Sequence, residues 1–343
     1  MSKGTAATEQ RRPPRLEDVA RLAGVSPKTA SRVLNKEAYV QEDTRERVLR
    51  AVKDLDYRPN PSARSLAANR SFLVAMLYDN ASPNYTMQVQ NGVLQACDAN
   101  HYGMVMRPMD STSAQFVERV EALISERRLD GLVLTPPIAD HLPLLKRLDR
   151  AKVPYACVSP RSRKGAGADM DEVAASCEMV TYLASLGHRR IGHIMGPADH
   201  GAADWRLEGY KLGLKAAGLK FNASLLARGT FLFDSGVAGA VKLFKLTDPP
   251  TAIFAANDDM AAGVIWAANK AGIDVPGELS VSGFDDTPLS RQIWPPLTTI
   301  HQPCQDLGRI ACMQLFARIR EGRGALIRAP YSMCIRESTA PLP

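Results

Sequence analysis

Two rhythms divide the chain. Across residues 16–55 apolar side chains recur at helical spacing, whereas from residue 71 onward short apolar runs alternate with helix-length amphipathic stretches. In the opening stretch, LEDVARLAGVSPKTASRVLN, the residues Val19, Ala20, Leu22 and Ala23 fall on one helical face. Gly24 then supplies the backbone freedom of a sharp turn, and Val25 plugs the space between two helices. Ser26 reads as an N-cap with Pro27 at the first helical position, where a missing N–H costs nothing. The spacing predicts a second helix over 27–34 that buries Ala30, Val33 and Leu34 and leaves Lys28, Thr29, Ser31 and Arg32 outside. A third helix is predicted over 40–55, with Val48, Leu49, Val52 and Leu55 on one face and Arg45, Arg47, Arg50 and Lys53 on another. Short donors and cations on the second helix suit a DNA major groove, although an ordinary glycine-capped helix pair has the same spacing.

The later rhythm is carried by FLVAMLY (72–78), GMVMRPM (103–109), GLVLTPP (131–137) and VPYACVS (153–159). It resumes with IGHIMG (191–196), TFLF near 231, TAIFAAN (251–257) and LSVSGFDD (279–286). Strands alternating with helices argue for parallel sheets covered on both faces, and two such sets argue for two doubly wound lobes. LTTIHQP (297–303) leads into a helix over 304–319 and a last strand-like segment, PYSMCIRES. In open parallel sheets ligands bind beyond the carboxyl ends of the strands. The candidates there are residues 80–85, including Tyr85, then Ser159 to Arg161, Asn257 with Asp258, and Asp285 with Asp286. Arg206, on a helix after IGHIMG, offers a fixed fork of donors to a hydroxyl-rich or anionic ligand. Phe231, Tyr85 or Trp205 supply an apolar wall for the face of a ring, although Trp205 and Trp294 fit packing better than a ligand platform, and Asp258 and Asp286 fit equally as helix caps.

The net charge of +7 gains meaning once divided: residues 1–70 hold 15 Lys and Arg against 9 Asp and Glu, leaving a near balance of 28 against 27 in the rest. The excess therefore sits on the segment with the paired helices. Six cysteines (Cys97, Cys157, Cys177, Cys304, Cys312 and Cys334) show no CxxC spacing and read as free thiols. The first fifteen residues hold no apolar stretch and are not read as a secretory signal, and no run approaches the ~20 apolar residues of a membrane span. Walker A, HExxH, GxSxG and strand-following GxGxxG sequences do not occur. His188, His193 and His200 lack a metal-converging spacing, and the Asp285–Asp286 pair has no nucleophile nearby in sequence. No cofactor, no metal and no enzymatic activity are expected.

The runs VSPKTASRVLN and TRERVLRAVKDLDYRPNPSARSLA closely resemble the DNA-binding headpiece and hinge of the LacI/GalR family of bacterial transcription regulators, and the resemblance covers nearly the whole chain. It implies an all-α helix-turn-helix headpiece plus an α/β two-lobed, periplasmic-binding-protein-like core of doubly wound parallel sheets. The expected divisions are a disordered arm over 1–14, the headpiece over 15–60, a hinge over 61–70 and a core over 71–343. Within the core, lobe 1 takes about 71–170 and 300–328, and lobe 2 about 171–299 and 329–340, because the resemblance implies that the tail returns to the first lobe before finishing near the second.

Position by position, Ser26, Pro27, Lys28, Ser31 and Arg32 match recognition-helix positions, with Thr29 among them on the exposed face. Thr44 and Asn60 match phosphate-contacting positions. Leu66 matches a hinge leucine wedged into the minor groove, with Ala63 and Arg64 on the same hinge helix. Pro27 and Lys28 vary within the family and are the expected seat of operator specificity. In the core, Arg206, Asn257, Asp258, Asp285 and Phe231 match effector-contacting positions, and Asp171 a pocket-edge acid. Purine-reading members carry distinctive residues where this chain has Ser159-Pro160-Arg161, so a carbohydrate effector is expected. The implied protein is a cytoplasmic, nucleoid-associated, homodimeric repressor of a pseudo-palindromic operator without membrane partners; its STAPLP tail is too short for a tetramerising heptad helix. The alternative is a sugar-binding receptor or sensor without a DNA-binding role.

Overall fold

A computed structural model describes residues 12, 14–34, 39–57, 70–79, 82–198 and 200–342, and the chain separates into two units, Met1–Arg70 and Ser71–Pro343. The first holds α1 (Leu16–Ala23), α2 (Pro27–Leu34) and α3 (Glu42–Asp54). Val19, Ala20 and Ala23 of α1, Ala30 and Val33 of α2, and Val48 and Ala51 of α3 form one buried cluster. Gly24 ends α1 at φ 65, a left-handed conformation that lets the Val25 N–H reach back to the Ala20 carbonyl at 2.9 Å. The Ser26 hydroxyl accepts from the Thr29 N–H at 3.1 Å and so caps α2. The Arg47 guanidinium donates to the Ala23 carbonyl at 3.2 Å, tying α3 to the turn. Three sequence expectations change: Leu22 and Leu49 are about half exposed (55% and 50%), and Leu34 is half-buried and outside the cluster. The buried face of α3 follows Val48, Ala51, Val52 and Leu55, spaced three and four apart, and Leu49 lies at its rim.

The second unit runs β1 (Leu73–Tyr78), α4 (Pro83–Ala99), β2 (Gly103–Pro108), α5 (Phe116–Arg127), β3 (Gly131–Leu134), α6 (Leu142–Arg150), β4 (Tyr155–Val158) and β5 (Gly167–Asp169). There follow α7 (Glu172–Ser185), β6 (Ile191–Met195), α8 (Gly201–Ala216), β7 (Leu226–Arg228), α9 (Phe233–Phe244), β8 (Ala252–Ala255), α10 (Asp258–Ala271) and β9 (Ser280–Ser282). The chain closes with α11 (Leu289–Gln292), β10 (Thr299–His301), α12 (Cys304–Glu321), β11 (Leu326–Arg328) and β12 (Ser332–Cys334).

One parallel sheet has the order β11-β5-β4-β3-β1-β2, a second the order β7-β6-β8-β9, and β10 pairs with β12 as an antiparallel ribbon. Along β1 the side chains alternate: Val74 and Met76 enter the core beneath α4 and α12, and Ala75 and Leu77 enter the core beneath α5 and α6. The second sheet is likewise covered on both faces, by α7 and α8 around Tyr210 and Phe254 and by α9 and α10 around Ile194 and Ile253.

After β10 the chain crosses to the first lobe, where Leu307, Ala311, Leu315 and Phe316 of α12 pack into its core. A Cβ on Gly92 would stand 1.8 Å from the Gln305 carbonyl oxygen, so the contact of α4 with α12 depends on that missing side chain. β11 then adds to the edge of the first sheet, while Met333 of β12 and Ile300 of β10 pack with the second lobe.

The strand expected at TFLF near 231 is absent. Phe231 sits in a loop at φ 64, which no strand accommodates, the strand lies earlier at Leu226–Arg228, and α9 begins at Phe233. PYSMCIRES supplies only β12, and the partner of β5 is the preceding LIR. All six cysteines are free, and among the described residues no helix is long and apolar enough to cross a membrane.

Candidate functional site

The carboxyl ends of both sheets open onto one cleft. From the first lobe come Ser82 and Tyr85 at the head of α4, Pro136 after β3 and Ser159 after β4. From the second come Glu172, His200, Trp205 and Arg206 on or before α7 and α8, then Phe231, Asn257 and Asp285 after β7, β8 and β9. Gln302 joins from the crossing after β10.

Arg206 is the hub. Its Nε donates to Glu172 at 2.9 Å, one Nη donates to the Ala256 carbonyl and the other to Gln302 at 3.1 Å, with Asp285 at 3.5 Å. The guanidinium lies 3.7 Å from the centre of the Phe284 ring. Burial pulls the Arg206 pKa down, but the charges of Glu172 and Asp285 outweigh it and leave it above its ordinary value. Burial pushes the Asp285 carboxyl well above the carboxylate range, opposed in part by Arg206. Burial, with the charges of Arg206 and Arg161, lowers His200 to about 3, so its imidazole is neutral near pH 7 and carries one donor and one acceptor.

Several buried polar atoms here have no hydrogen-bond partner in the protein: the Ser159 Oγ, both ring nitrogens of His200, and the Asp285 Oδ1, whose contact with Arg206 at 3.5 Å is ionic only. A buried polar atom left alone costs free energy, so a group of them facing one cleft marks a place where a ligand supplies the missing hydrogen bonds. Backbone strain collects at the same place: Ser159 (φ 45), Phe231 (φ 64) and Asp285 (φ 112) all hold conformations that side chains disfavour.

Of the residues singled out from sequence, Tyr85, Ser159, Arg206, Phe231, Asn257 and Asp285 line the cleft. Asp171 does not: it caps α7 by accepting from the Ala174 N–H at 3.1 Å and meets Arg328 at 3.4 Å. Its neighbour Glu172 takes the inward place. Asn257 also caps α10, accepting from the Met260 N–H at 3.0 Å, and its amide donates to the Phe231 carbonyl at 2.9 Å, which fixes the ring beside Arg206. Asp258 is not that cap; its carboxylate accepts from Thr299 at 2.6 Å and from the Thr287 N–H at 2.7 Å. Nor does Asp286 cap a helix, because Arg336 at 2.5 Å, with His301 and Arg291 each at 3.1 Å, holds its carboxylate. Trp205 lines the cleft and Trp294 is 77% exposed, so Trp294 is not a packing residue.

Sequence reading covered Ser82 within residues 80–85 but missed Pro136, Glu172, His200 and Gln302. Glu172 follows β5, whose GAD carries no apolar run to announce a strand, whereas Gln302 stands directly after one and was there to be found.

In the first unit, Ser26, Pro27, Lys28 and Arg32 are exposed along α2, and Thr29 and Ser31 are half-buried beside them. Thr44 is half-buried near Arg47, whose guanidinium reaches its hydroxyl at 3.5 Å. Asn60, Ala63, Arg64 and Leu66 lie outside the described residues.

Residues 15–60 match the bacterial regulatory proteins of the lacI family, and residues 180–339 match the periplasmic binding protein-like domain. The chain is 34% identical over 309 residues to the ribose operon repressor of Escherichia coli K12, covering 89% of this chain and 93% of that one. It is 33% identical over 315 residues to the transcriptional repressor PurR of Photobacterium profundum, covering 89% and 92%. Among solved structures it resembles the complex of the regulator CelR with cellobiose (TM-score 0.73, 31% identity, 95% of this chain and 99% of that one). It also resembles the lac repressor dimer bound to operator and the anti-inducer ONPF (TM-score 0.76, 27% identity, 96% and 100%). A helix-turn-helix followed by a two-lobed core with a polar cleft at its strand ends thus has its counterpart along almost the full length of these proteins, and the chain belongs to the lacI family of bacterial regulatory proteins, as a DNA-binding regulator of transcription.

Proposed function

We propose that this chain is a cytoplasmic, homodimeric repressor that binds a pseudo-palindromic operator and changes its affinity when a carbohydrate occupies the cleft. The observation that carries the proposal is the meeting of unpartnered Ser159, His200 and Asp285 atoms with the Phe231 ring, on a chain that begins with a basic helix-turn-helix. Hydroxyl groups both donate and accept, and sugar rings present apolar faces to aromatic side chains; the cleft offers a counterpart to each. Cellobiose in the related CelR complex and the name of the ribose repressor favour this class, while the PurR relative makes a nucleobase the comparison to include.

On DNA, α2 enters the major groove with Pro27, Lys28 and Arg32 outermost, and Leu66, with Ala63 and Arg64, works in the minor groove. The exposed Leu232, Phe233 and Trp266 on the second lobe, with Met87 and Leu94 on α4, are surface that a second copy covers. Ligand closure of the lobes shifts operator affinity through residues 61–70, a coupling of about 1–3 kcal/mol. The cleft serves as a receptor site and not as a catalytic one, its carboxylates Glu172 and Asp285 being held by Arg206.

Gel-shift titration against fragments of the source genome tests the DNA side. Binding that weakens steeply with salt and falls with Arg32→Ala is expected, and no binding to any fragment overturns the regulator reading. Thermal-shift screening against sugars and nucleobases tests the effector class, and stabilisation by nucleobases alone overturns the carbohydrate.

A further inference from the structure

We infer, resting on the reading of the cleft as an effector site, that it admits uncharged ligands and rejects their phosphate monoesters, and that Glu172 sets this preference. Among the described residues lining the cleft, Arg206 is the cation, and each of its three nitrogens already donates to a protein acceptor, Glu172, the Ala256 carbonyl and Gln302, with Asp285 3.5 Å away. The Glu172 carboxylate therefore balances the guanidinium, and a phosphate arriving there meets no uncompensated positive charge.

Helix amino termini, the other usual source of anion affinity, are spoken for as well. Of the helices that begin at the cleft, α7, α8 and α10 carry acid in their first turns (Glu172, Asp204, and Asp258 with Asp259), and α4, which carries none, has Asp259 held against its head by Ser82 and Asn84. Asp171 and Asn257 each accept one first-turn N–H, that of Ala174 in α7 and that of Met260 in α10. At the rim, Arg161 is bound to Asp204 at 2.6 Å.

The unpartnered atoms point the same way. Both ring nitrogens of the neutral His200 imidazole lack hydrogen-bond partners, and the one that is an acceptor requires a donor from the ligand, which a hydroxyl supplies and a phosphate dianion does not. Glu172 is 1% exposed and has no route to move its charge into solvent when an anion arrives, so the repulsion is felt in a weakly screened interior.

Calorimetry on the full chain with matched pairs (ribose and ribose 5-phosphate, glucose and glucose 6-phosphate, adenosine and its 5′-monophosphate), with cellobiose alongside, tests this. For whichever parent compound binds, the ester is expected to bind about 100-fold or more weakly, and Glu172→Gln to narrow that gap about tenfold. An ester that binds wild type as tightly as its parent overturns the inference and leaves the carbohydrate reading standing. Binding of adenosine with no sugar sinks the carbohydrate reading, and the adenosine pair then decides the charge preference. Inorganic phosphate gives a readout that needs no identified effector: it should raise the melting temperature of Glu172→Gln, or of Glu172→Ala should the first variant fold poorly, more than that of wild type. Equal responses in wild type and variant overturn the role given to the Glu172 carboxylate.

Discussion

The Ser82 hydroxyl, at the head of α4 in the first lobe, donates to the Asp259 carboxylate at the head of α10 in the second at 2.8 Å, and the Asn84 amide joins the same carboxylate at 3.2 Å. On the other rim Arg161 reaches across to Asp204. The lobes are thus latched on both sides of the cleft, and the Asp259 latch is the better sheltered, since the side chains of Arg161 and Asp204 are 46% and 58% exposed.

Removing that latch should loosen closure without dismantling either lobe. Asp259→Ala is expected to weaken ligand binding about tenfold, on the order of 1.5–3 kcal/mol for hydrogen bonds to a charged group less partial replacement by water. Calorimetry measures the loss, and small-angle scattering should show a larger radius of gyration for the variant. Unchanged affinity would mean that the contact follows closure without favouring it.

Arg206 has a structural load that its role as a ligand contact does not convey. Arg206→Ala strands the nearly inaccessible Glu172 carboxylate without its counter-charge. Breaking a buried ion pair in this way typically costs about 3–5 kcal/mol, so urea denaturation should show that loss together with loss of ligand response. Adding Glu172→Gln to the variant should restore at least about 1 kcal/mol, since the stranded charge is then gone. A stable Arg206→Ala protein would show that water reaches the site and screens the carboxylate.

Much of this arrangement was legible in the chain. Parallel strands announce themselves through runs such as AIFA of β8, buried on both faces, and the polar residues after them reach the cleft because strand ends are where chain direction turns. What escaped was carried by residues without a periodic signature. Phe231 looks like part of a strand until its φ of 64 is known, and only the Asn257 amide bonded to its carbonyl explains how that conformation is held. Asp171 and Glu172 differ by one position, and a helix start separates them: the first caps the helix from outside while the second turns into the cleft. Strand counting cannot resolve one residue of register at a helix terminus.

His200 makes an acid-sensitive contribution. Its ring is buried and lowered to about 3, so the folded protein holds that proton more weakly than the unfolded chain, whose histidines titrate near 6.5. The stability it permits is complete above about pH 6.5 and is lost as pH falls toward 3. Asp258, raised to about 7 by burial, shifts stability in the opposite direction over part of the same range, so a comparison with His200→Gln is needed to isolate the ring. The stability of wild type relative to that variant should fall by about 2 kcal/mol between pH 7 and pH 5 in chemical denaturation. A difference that does not move with pH would place the ring in contact with solvent.

Folding and reading of DNA should separate within three residues of α2. The Ser26 hydroxyl accepts from the Thr29 N–H at 3.1 Å and lies 2.9 Å from the Thr29 hydroxyl, so Ser26→Ala removes a cap and is expected to cost the first unit about 1 kcal/mol. Lys28 is exposed and lies outside the buried cluster formed by Val19, Ala20, Ala30 and Val33, so Lys28→Ala should leave thermal unfolding of that unit unchanged. Its effect belongs on DNA. If Lys28 reads a base edge, its removal relaxes discrimination at one operator position by about 1–3 kcal/mol, whereas a phosphate contact lowers affinity for all sequences and reduces the salt slope by about one. Titrations of wild type and variant against single-base operator substitutions at two salt concentrations distinguish the two. A Lys28→Ala protein indistinguishable from wild type in both would move specificity away from the start of α2, toward Ser31 and Arg32 one helical turn on.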